Sequence, residues 1–573
     1  MQKIEDLEYK RESLYEELSK TGDFRRGIIS VNYRKCGKAN CCCSKEGHPG
    51  HGPQYLWNTT IKGKSYAKNL KLGPELQKYS EEIARCHHFL KMCDELVEIN
   101  ERICDLRPVS EVKDDNELEL LKKKLPEVVL EEAAKEIKQI INTVFQDKGK
   151  VGSIDMEAIE MGVRSSMHSI GKTLLEEIVN ADKGDYRGRV IPCEKGHGYE
   201  FVEYREKSLL TVLGEIKVNR AYYYDNGCNH GMCPKDKSLD IVGSYFSPGV
   251  RRMMGRVGAY RPFGVGHEDI KELAGIEVTT KGIERVSHQL GEEAEGFQKK
   301  EVNEVLSDKV IPIKPVPIMY VCMDGTGVPV VKTETVGRHG KGEDGIAKTR
   351  EVKLGCVFTQ TTVDEKGYAV RDESSTSYVG AIERADEFSK RIYGEAMRRG
   401  LQRAEKSCVI GDGASWIWNI ADEEFSGAIQ IIDLYHAREH YWNVARVFWG
   451  HDKEKMNQWA KKRHDELDSG KVEEVIKAIR RLLPSTDYEK DICEREINYF
   501  EKNKERMHYA EYRRQGLFVG SGVLEAGCRT VVGQRLKQSG MHWTVKGANS
   551  IIALRCCLLS NRWEDFWKYR ACA

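Results

Sequence analysis

The most restrictive stretch of this chain runs from PIMYVCMDG to AIQIIDLYH. PIMYVCMDG, GVPVVKTE and REVKLGCVFTQTTVD read as three successive strands and ADEFSKRIYGEAMRRGL as a helix. SCVIGDG and AIQIIDLYH read as a fourth and a fifth strand. The order β-β-β-α-β-(α)-β is that of an α/β core. Two of these strands close on Asp-Gly, at Asp324 and Asp412, 88 positions apart.

A carboxylate at the end of an apolar strand is held rigidly and faces solvent, and two such strands side by side bring their acids within reach of shared metal ions. The ribonuclease H-like fold is built this way. Two-metal phosphoryl transfer needs hard oxygen donors around ions about 3.5–4 Å apart, which takes a third acid. Glu525 in SGVLEAGCRTVVGQRLKQSGMHW is the candidate, because it opens an expected helix whose following face carries Arg529, Arg535 and Lys537, suited to gripping phosphates. One acid after a strand is usually an N-cap or turn residue; three in this order are more specific. Mg²⁺ or Mn²⁺ is the expected cation.

At 573 residues the chain should hold several domains. The reading is α/β plus all-α modules: an N-terminal helical module with a Cys/His loop over 1–107, a helical region over 108–184 and a small β module over 185–242. A helix-turn-helix region follows over 243–305, then the α/β domain over 306–573 with a helical insertion at about 440–515. The net charge is only +1, but from Glu525 to Ala573 eight basic residues face three acidic ones, so a basic C-terminal tenth is expected. The charged start and the lack of a long apolar run predict a cytoplasmic protein without a membrane span. Eighteen cysteines are too sparse for a disulfide scaffold and read as reduced thiols except where they cluster.

In the N-terminal module, Leu76, Tyr79, Ile83, Cys86, Leu90, Cys93 and Val97 form a heptad seam, which suits either a helical hairpin or a dimerising coiled coil. Cys36, Cys41, Cys43, His48 and His51 cluster in its loop and read either as zinc ligands or as a Gly/Cys turn held by Tyr55 and Trp57. In EDIKELAGIEVTTKGIERVSHQL, Ile270, Leu273, Ile283, Val286 and Leu290 share one face across a turn at Gly275-Ile276. That spacing fits a helix-turn-helix with Thr279 or Thr280 as N-cap, whose second helix would offer Lys281, Glu284, Arg285 and His288 to DNA; plain three-helix packing is the alternative.

The blocks MDGTGVPV, GDGASWIW, IIDLYHAREHYW and SGVLEAGCRTVVGQRLKQSGMHWTVKGAN resemble, in the same order, those of bacterial insertion-sequence transposases of the ISKra type and the related ISLre type, which are Asp-Asp-Glu transposases. The resemblance covers about residues 185–573. It implies Asp324, Asp412 and Glu525 as the three catalytic acids, with metal-dependent phosphodiester hydrolysis and strand transfer at element ends. Double-stranded DNA, both element ends and target, and a homo-oligomer on that DNA are the implied partners. Asp433 and His436 form a D-x-x-H that resembles an element near the second acid of Mutator-like transposases, where a His could orient a nucleotide or stabilise the leaving group; a core-satisfied pair is the alternative. Such proteins resemble zinc ribbons of two Cys-x2-Cys knuckles in the β module. Here Cys193, His197, Cys228 and Cys233 stand in their place, and zinc retained or lost stays open. The N-terminal CGKxxCxC and HGPxY elements resemble a small domain of unknown role fused to such elements. A non-catalytic or domesticated DNA-binding protein, or a stand-alone ribonuclease H-like nuclease, are the rival readings.

Overall fold

The computed structural model describes residues 4–38, 40–61, 63–106, 124, 126–139, 156–182, 185–192, 198–227, 229–307, 316–340 and 345–572. The chain is mixed α/β and divides into two compact units, Met1–Leu120 and Leu121–Ala573.

In the first unit the helices Ile4–Ser19 and Pro74–Leu106 run antiparallel, since Lys10 pairs with Glu95 (2.7 Å) and Glu17 meets His88 (3.7 Å). Leu7, Leu14, Met92, Ile99 and Ile103 are buried between them. The two helices thus form an intramolecular hairpin, but not through the expected heptad seam: of that seam Tyr79, Ile83 and Cys86 are buried, whereas Leu90 and Val97 face solvent. Strands β1 (Ile28–Arg34), β2 (His51–Ile61) and β3 (Lys64–Leu70) make an antiparallel sheet. Trp57 of β2 meets Tyr79 of the long helix edge-on at 5.7 Å, and the Arg25 guanidinium lies 3.9 Å over the Tyr79 ring while pairing with Glu82 at 2.7 Å.

The second unit begins with helices over 126–139 and Met156–Ala181. The second of these packs on a four-stranded antiparallel sheet of β4 (Val190–Pro192), β5 (Gly198–Thr211), β6 (Gly214–Asp225) and β7 (His230–Met232). Helices Pro248–Tyr260, Phe263–Ala274 and Thr280–Leu306 follow. Gly275 ends the second of them at φ +67°, and the Thr279 hydroxyl caps the third by accepting from Gly282 N at 2.9 Å. Ile270, Ile276, Val278, Ile283, Val286 and Leu290 pack inward. Leu273, expected on that face, is 79% exposed.

The last part holds a five-stranded sheet in the order β12-β9-β8-β13-β14. Its strands are β8 (Val316–Pro329), β9 (Thr349–Gln360), β12 (Ser377–Ala381), β13 (Ala404–Gly411) and β14 (Ile429–Ile432). A two-residue ladder of β10 (Thr362–Val363) and β11 (Ala369–Val370) decorates the β9–β12 connection. β8, β9 and β12 are antiparallel, whereas β8, β13 and β14 are parallel, with helix Ala385–Arg398 joining β12 to β13 and Ser415–Glu424 joining β13 to β14. The strand count agrees with the sequence reading but the members differ. PIMYVCMDG and GVP form one strand, KTE turns into a 3-10 helix at Lys332–Thr335, and the third strand is SYVGA. A polar first half hid SYVGA from a search for apolar runs.

Helices Leu434–Trp449, Lys453–Asp468, Val472–Arg480, Asp487–Asn503 and Tyr509–Arg514 form the inserted helical layer. The chain returns through Gly522–Gly527, a π-helical turn at Cys528–Gly533, Gln534–Leu536 and the buried helix Val545–Leu559. That last helix is fixed on two sides. Asn549 exchanges hydrogen bonds with the Ile382 backbone at the end of β12. Gly291, on the Thr280–Leu306 helix, meets Ser550 backbone so closely that a Cβ would lie 2.3 Å from its carbonyl oxygen. Among the described residues no helix is long and apolar enough to cross a membrane.

Candidate functional site

Met323 lies opposite Gly411 in the parallel β8–β13 ladder, so Asp324 and Asp412 are the next residues on two neighbouring strands. Asp412 follows the end of β13 as expected and accepts from Ala414 N at 2.7 Å. Asp324 does not end its strand: β8 continues to Pro329, still paired with β9. Its Oδ1 accepts from Gly325 N at 2.7 Å and its Oδ2 from the Cys528 thiol at 3.2 Å. Burial raises the Asp324 carboxyl above its usual range and the Asp412 charge adds to the rise, against opposition from Cys528, Gly325 and His436. A carboxyl raised in part by a neighbouring carboxylate is one that a bound cation would relieve.

Glu525 lies exposed on the Gly522–Gly527 helix, three residues before Cys528. The Cys528–Asp324 bond thus brings the turn that follows Glu525 against the first acid. The three carboxylates are not gathered into one ligand set: among the described residues, the group of Cys, His, Asp or Glu with all its ligand atoms within 4.8 Å of one another is Cys36, Cys41, Cys43 and His51.

The expected basic face after Glu525 breaks up. Arg529 is exposed, and Lys537 donates to Thr326 Oγ1 at 2.5 Å, two residues past Asp324. Arg535, assigned to DNA from the sequence, is fully buried. Its Nε donates to Gly258 O at 2.9 Å, its guanidinium lies 4.7 and 4.9 Å from the rings of Phe263 and Trp543, and burial pushes its pKa down to about 10. Arg555 is buried as well, donating to the carbonyls of Val531, Ala259 and Thr530, while Arg562 and Arg570 pair with Glu301 and Glu293. Of the eight basic residues of the C-terminal tenth, Arg535, Arg555, Arg562 and Arg570 are thus turned inward or paired, whereas Arg529, Lys537, Lys546 and Lys568 stay exposed. Arg535→Ala should cost on the order of 2–5 kcal/mol through the cavity and the orphaned carbonyl it leaves. Thermal denaturation checks this; a stable variant with weakened DNA binding would restore the surface assignment.

Asp433 is 5% exposed and its carboxylate is committed to backbone. It caps the Leu434–Trp449 helix by accepting from His436 N at 2.7 Å, and it accepts from Ser521 N just before Glu525. It ties the loop before Glu525 to the start of this helix, and a direct catalytic role is not what its contacts show. His436 lies half-buried with its Nε2 3.3 Å from His440 Nε2. His440 Nδ1 bonds to the carboxylate of Glu496, which is 0% exposed, and the His440 ring stacks on Tyr499 at 3.4 Å. A carboxylate only accepts, so His440 Nδ1 carries the proton of that bond. Burial would raise Glu496, but the bonds from His440 and Arg495 overcome it and hold the carboxyl below its usual range. Tyr499 in turn packs on Gly413, beside Asp412, where a Cβ would lie 2.5 Å from its ring. The sequence reading missed His440, Glu496 and Tyr499. The i, i+4 spacing of His436 and His440 was the one visible signal.

On the Thr280–Leu306 helix Lys281 and Arg285 are exposed, Lys281 pairing with Glu284 at 2.8 Å. His288 departs from the expected outward position. Its ring meets Phe263 edge-on at 6.0 Å and lies against Gly547, its Nε2 is buried, and burial pushes its pKa down.

Cys193, His197 and Cys228 lie outside the described residues; Cys233 is half-buried and leads into the short helix Pro234–Ser238. In the first unit, Cys36 follows β1, Cys41 and Cys43 flank the first residue of a 3-10 turn, and His51 opens β2 opposite Arg34. Cys36 and Cys43 sulfurs are 3.4 Å apart, and Cys41 Sγ lies 2.9 Å from His51 Nε2. The backbone amides of Lys38 and Cys43 hold the Cys36 and Cys41 thiols below their usual range. Three sulfurs and one imidazole at such separations could bind zinc, whose bonds run about 2.3 Å to sulfur and about 2.0 Å to nitrogen. His48 stays outside the set, its Nδ1 accepting from Gly50 N at 3.0 Å.

No curated protein matches the chain. Residues 4–78 match the model of a domain of unknown function (DUF6788), a span that holds the first helix, the three-stranded sheet and all four ligand-type residues of this cluster.

Proposed function

We propose that residues 306–573 form the ribonuclease H-like core of an insertion-sequence DNA transposase. The observation that carries this is the Met323–Gly411 register, which sets Asp324 and Asp412 side by side in a sheet of order β12-β9-β8-β13-β14. The Cys528–Asp324 bond supports Glu525 as the third member. Asp324 and Asp412 offer the hard oxygens Mg²⁺ or Mn²⁺ prefers, and Glu525 stands three residues before the Cys528 that bonds Asp324. Such a cation, when bound, supplies Lewis acidity toward the phosphodiester. The chain's own groups then hold the pieces: Asp433 fixes the loop before Glu525, Lys537 offers a positive charge beside Asp324, and the His440–Glu496 pair fixes the His436 ring. Hydrolysis would release a 3′-hydroxyl, whose attack on target DNA is the joining step. In the first unit, Cys36, Cys41, Cys43 and His51 would hold one structural zinc per chain.

The test is a duplex carrying the DNA that flanks the coding sequence, incubated with protein and Mg²⁺. Cutting at a terminal repeat and joining to a second duplex support the proposal. Binding alone would favour a non-catalytic DNA-binding protein, and cutting without joining a stand-alone nuclease. Recognition of the ends is assigned to the Thr280–Leu306 helix. Lys281→Ala with Arg285→Ala should weaken end binding about tenfold or more, measured by titration at two salt concentrations; unchanged affinity moves recognition to another module.

A further inference from the structure

Charge in this protein is concentrated where no motif called for it. Residues 22–73 contain ten Lys and Arg against two acids, Asp23 and Glu46, a balance of +8, whereas the whole chain carries +1. The other 521 residues therefore sum to −7. This segment is the three-stranded sheet with its Cys/His turn. Two of its cations are spent on structure, Arg25 on Glu82 and Lys68 on Glu75. Arg34, Lys35, Lys38 and Lys45 are all exposed, and none makes an ion pair among the described residues. All four lie within ten residues of Cys36, in the segment that carries three of the four ligand-type residues, and Arg34 stands opposite the fourth, His51, in the β1–β2 ladder.

The sheet that continues this segment has two unlike faces. Side chains alternate along a strand, so Trp57 and its neighbours Ile29 and Lys68 point to the side where Tyr79 of the long helix packs. Tyr66 falls on that side by the same alternation. The other side carries Asn32, Gln54 and Asn69, all exposed. Amides beside unpaired Arg and Lys are the side chains that contact phosphate and sugar. A single strand would call for exposed rings as stacking platforms, and the rings are on the opposite face.

We infer that the first unit is a zinc-stapled module that binds the phosphate backbone of duplex DNA without reading its sequence. The metal set closes the loop that carries Arg34, Lys35, Lys38 and Lys45, and so holds four flexible cations as one patch. This role is separate from the end recognition assigned to Lys281 and Arg285 and from the chemistry assigned to the carboxylates.

The experiment titrates the full chain with a labelled duplex of arbitrary sequence across about 50 to 200 mM salt, where each lost phosphate contact lowers the log–log slope by about 0.9. Changing Arg34, Lys35, Lys38 and Lys45 together to Gln should reduce the slope by up to about 3.6 and weaken binding at least about tenfold at the lowest salt. Zinc content should stay at the native level, which shows that the patch is lost and not the fold. The Asp324→Asn chain should bind this duplex like the native one, so failure of the nuclease reading leaves the result standing. An unchanged slope and affinity in the four-residue variant would overturn the inference. Tighter binding to single-stranded RNA or to anionic phospholipid vesicles than to the duplex, with the same sensitivity to the four residues, would overturn it too.

Discussion

Asp324→Asn, and separately Asp412→Asn, should abolish Mg²⁺-dependent cleavage of element-end DNA while leaving end binding within about twofold of native. An amide keeps the size of the carboxylate and loses its charge and half of its oxygen donors. Losing several kcal/mol of transition-state stabilisation from a misheld cation corresponds to at least about a thousandfold in rate. The two should be equivalent, because the Met323–Gly411 register makes them neighbours on two adjacent inner strands. Glu525→Gln should have a similar effect on the rate and almost none on folding, since Glu525 is exposed. Asp433→Asn supplies the contrast. Its carboxylate serves His436 N and Ser521 N, so its loss should lower thermal stability as well as activity. Cleavage retained in any of the first three variants would remove that residue from the site.

Cys41→Ser should strip about one zinc per chain and abolish a separate unfolding transition of the first unit. The reason is how little apolar matter the sheet buries. The buried hairpin residues belong to the two helices, whereas Val31, Tyr33, Ile61 and Tyr66 of the strands are about half exposed. A three-stranded sheet with so thin a core needs a staple. Apparent zinc binding in small domains is worth on the order of 10 kcal/mol or more at neutral pH, far above what such a sheet supplies by burial. Cys42→Ser and His48→Gln should keep the metal, because Cys42 points away exposed and His48 is bonded to Gly50 N. Metal content by mass spectrometry and a calorimetric scan check both. Full zinc in the Cys41→Ser chain would dismiss the four-ligand set.

The carboxylate strands were legible because the apolar runs IMYVCM and CVIG each lead straight into an Asp-Gly, and a buried run next to an acid leaves few alternatives. The cap formed by Asp433 was there to be read, since Asp ahead of an apolar helix is a standard N-cap, but its D-x-x-H spacing with His436 drew it to catalysis instead. The fate of Arg535 was not. Projecting Arg529, Arg535 and Lys537 from Glu525 assumes 3.6 residues per turn, but Cys528–Gly533 is a π-helical turn, which takes more residues per turn and rotates everything after it. Arg535 thereby swings from the expected face into the contact with Phe263 and Trp543. The His440–Glu496 pair was hidden for another reason: its members are 56 positions apart, and the helices Lys453–Asp468 and Val472–Arg480 come between them in the chain.

The close approach at Gly291 has a mechanical side. The Thr280–Leu306 helix is continuous for 27 residues, about 40 Å. Its start carries Lys281 and Arg285, its middle is locked backbone to backbone onto the Val545–Leu559 helix, and that helix is tied through Asn549 to the end of β12 in the acid-bearing sheet. No flexible joint interrupts this path. If the first turn of the rod grips a terminal repeat, the rod acts as a ruler. The spacing between the bases that are read and the bond that is cut is then set by its rigid length, so cleavage falls at one fixed offset from the recognised sequence, whatever bases lie between.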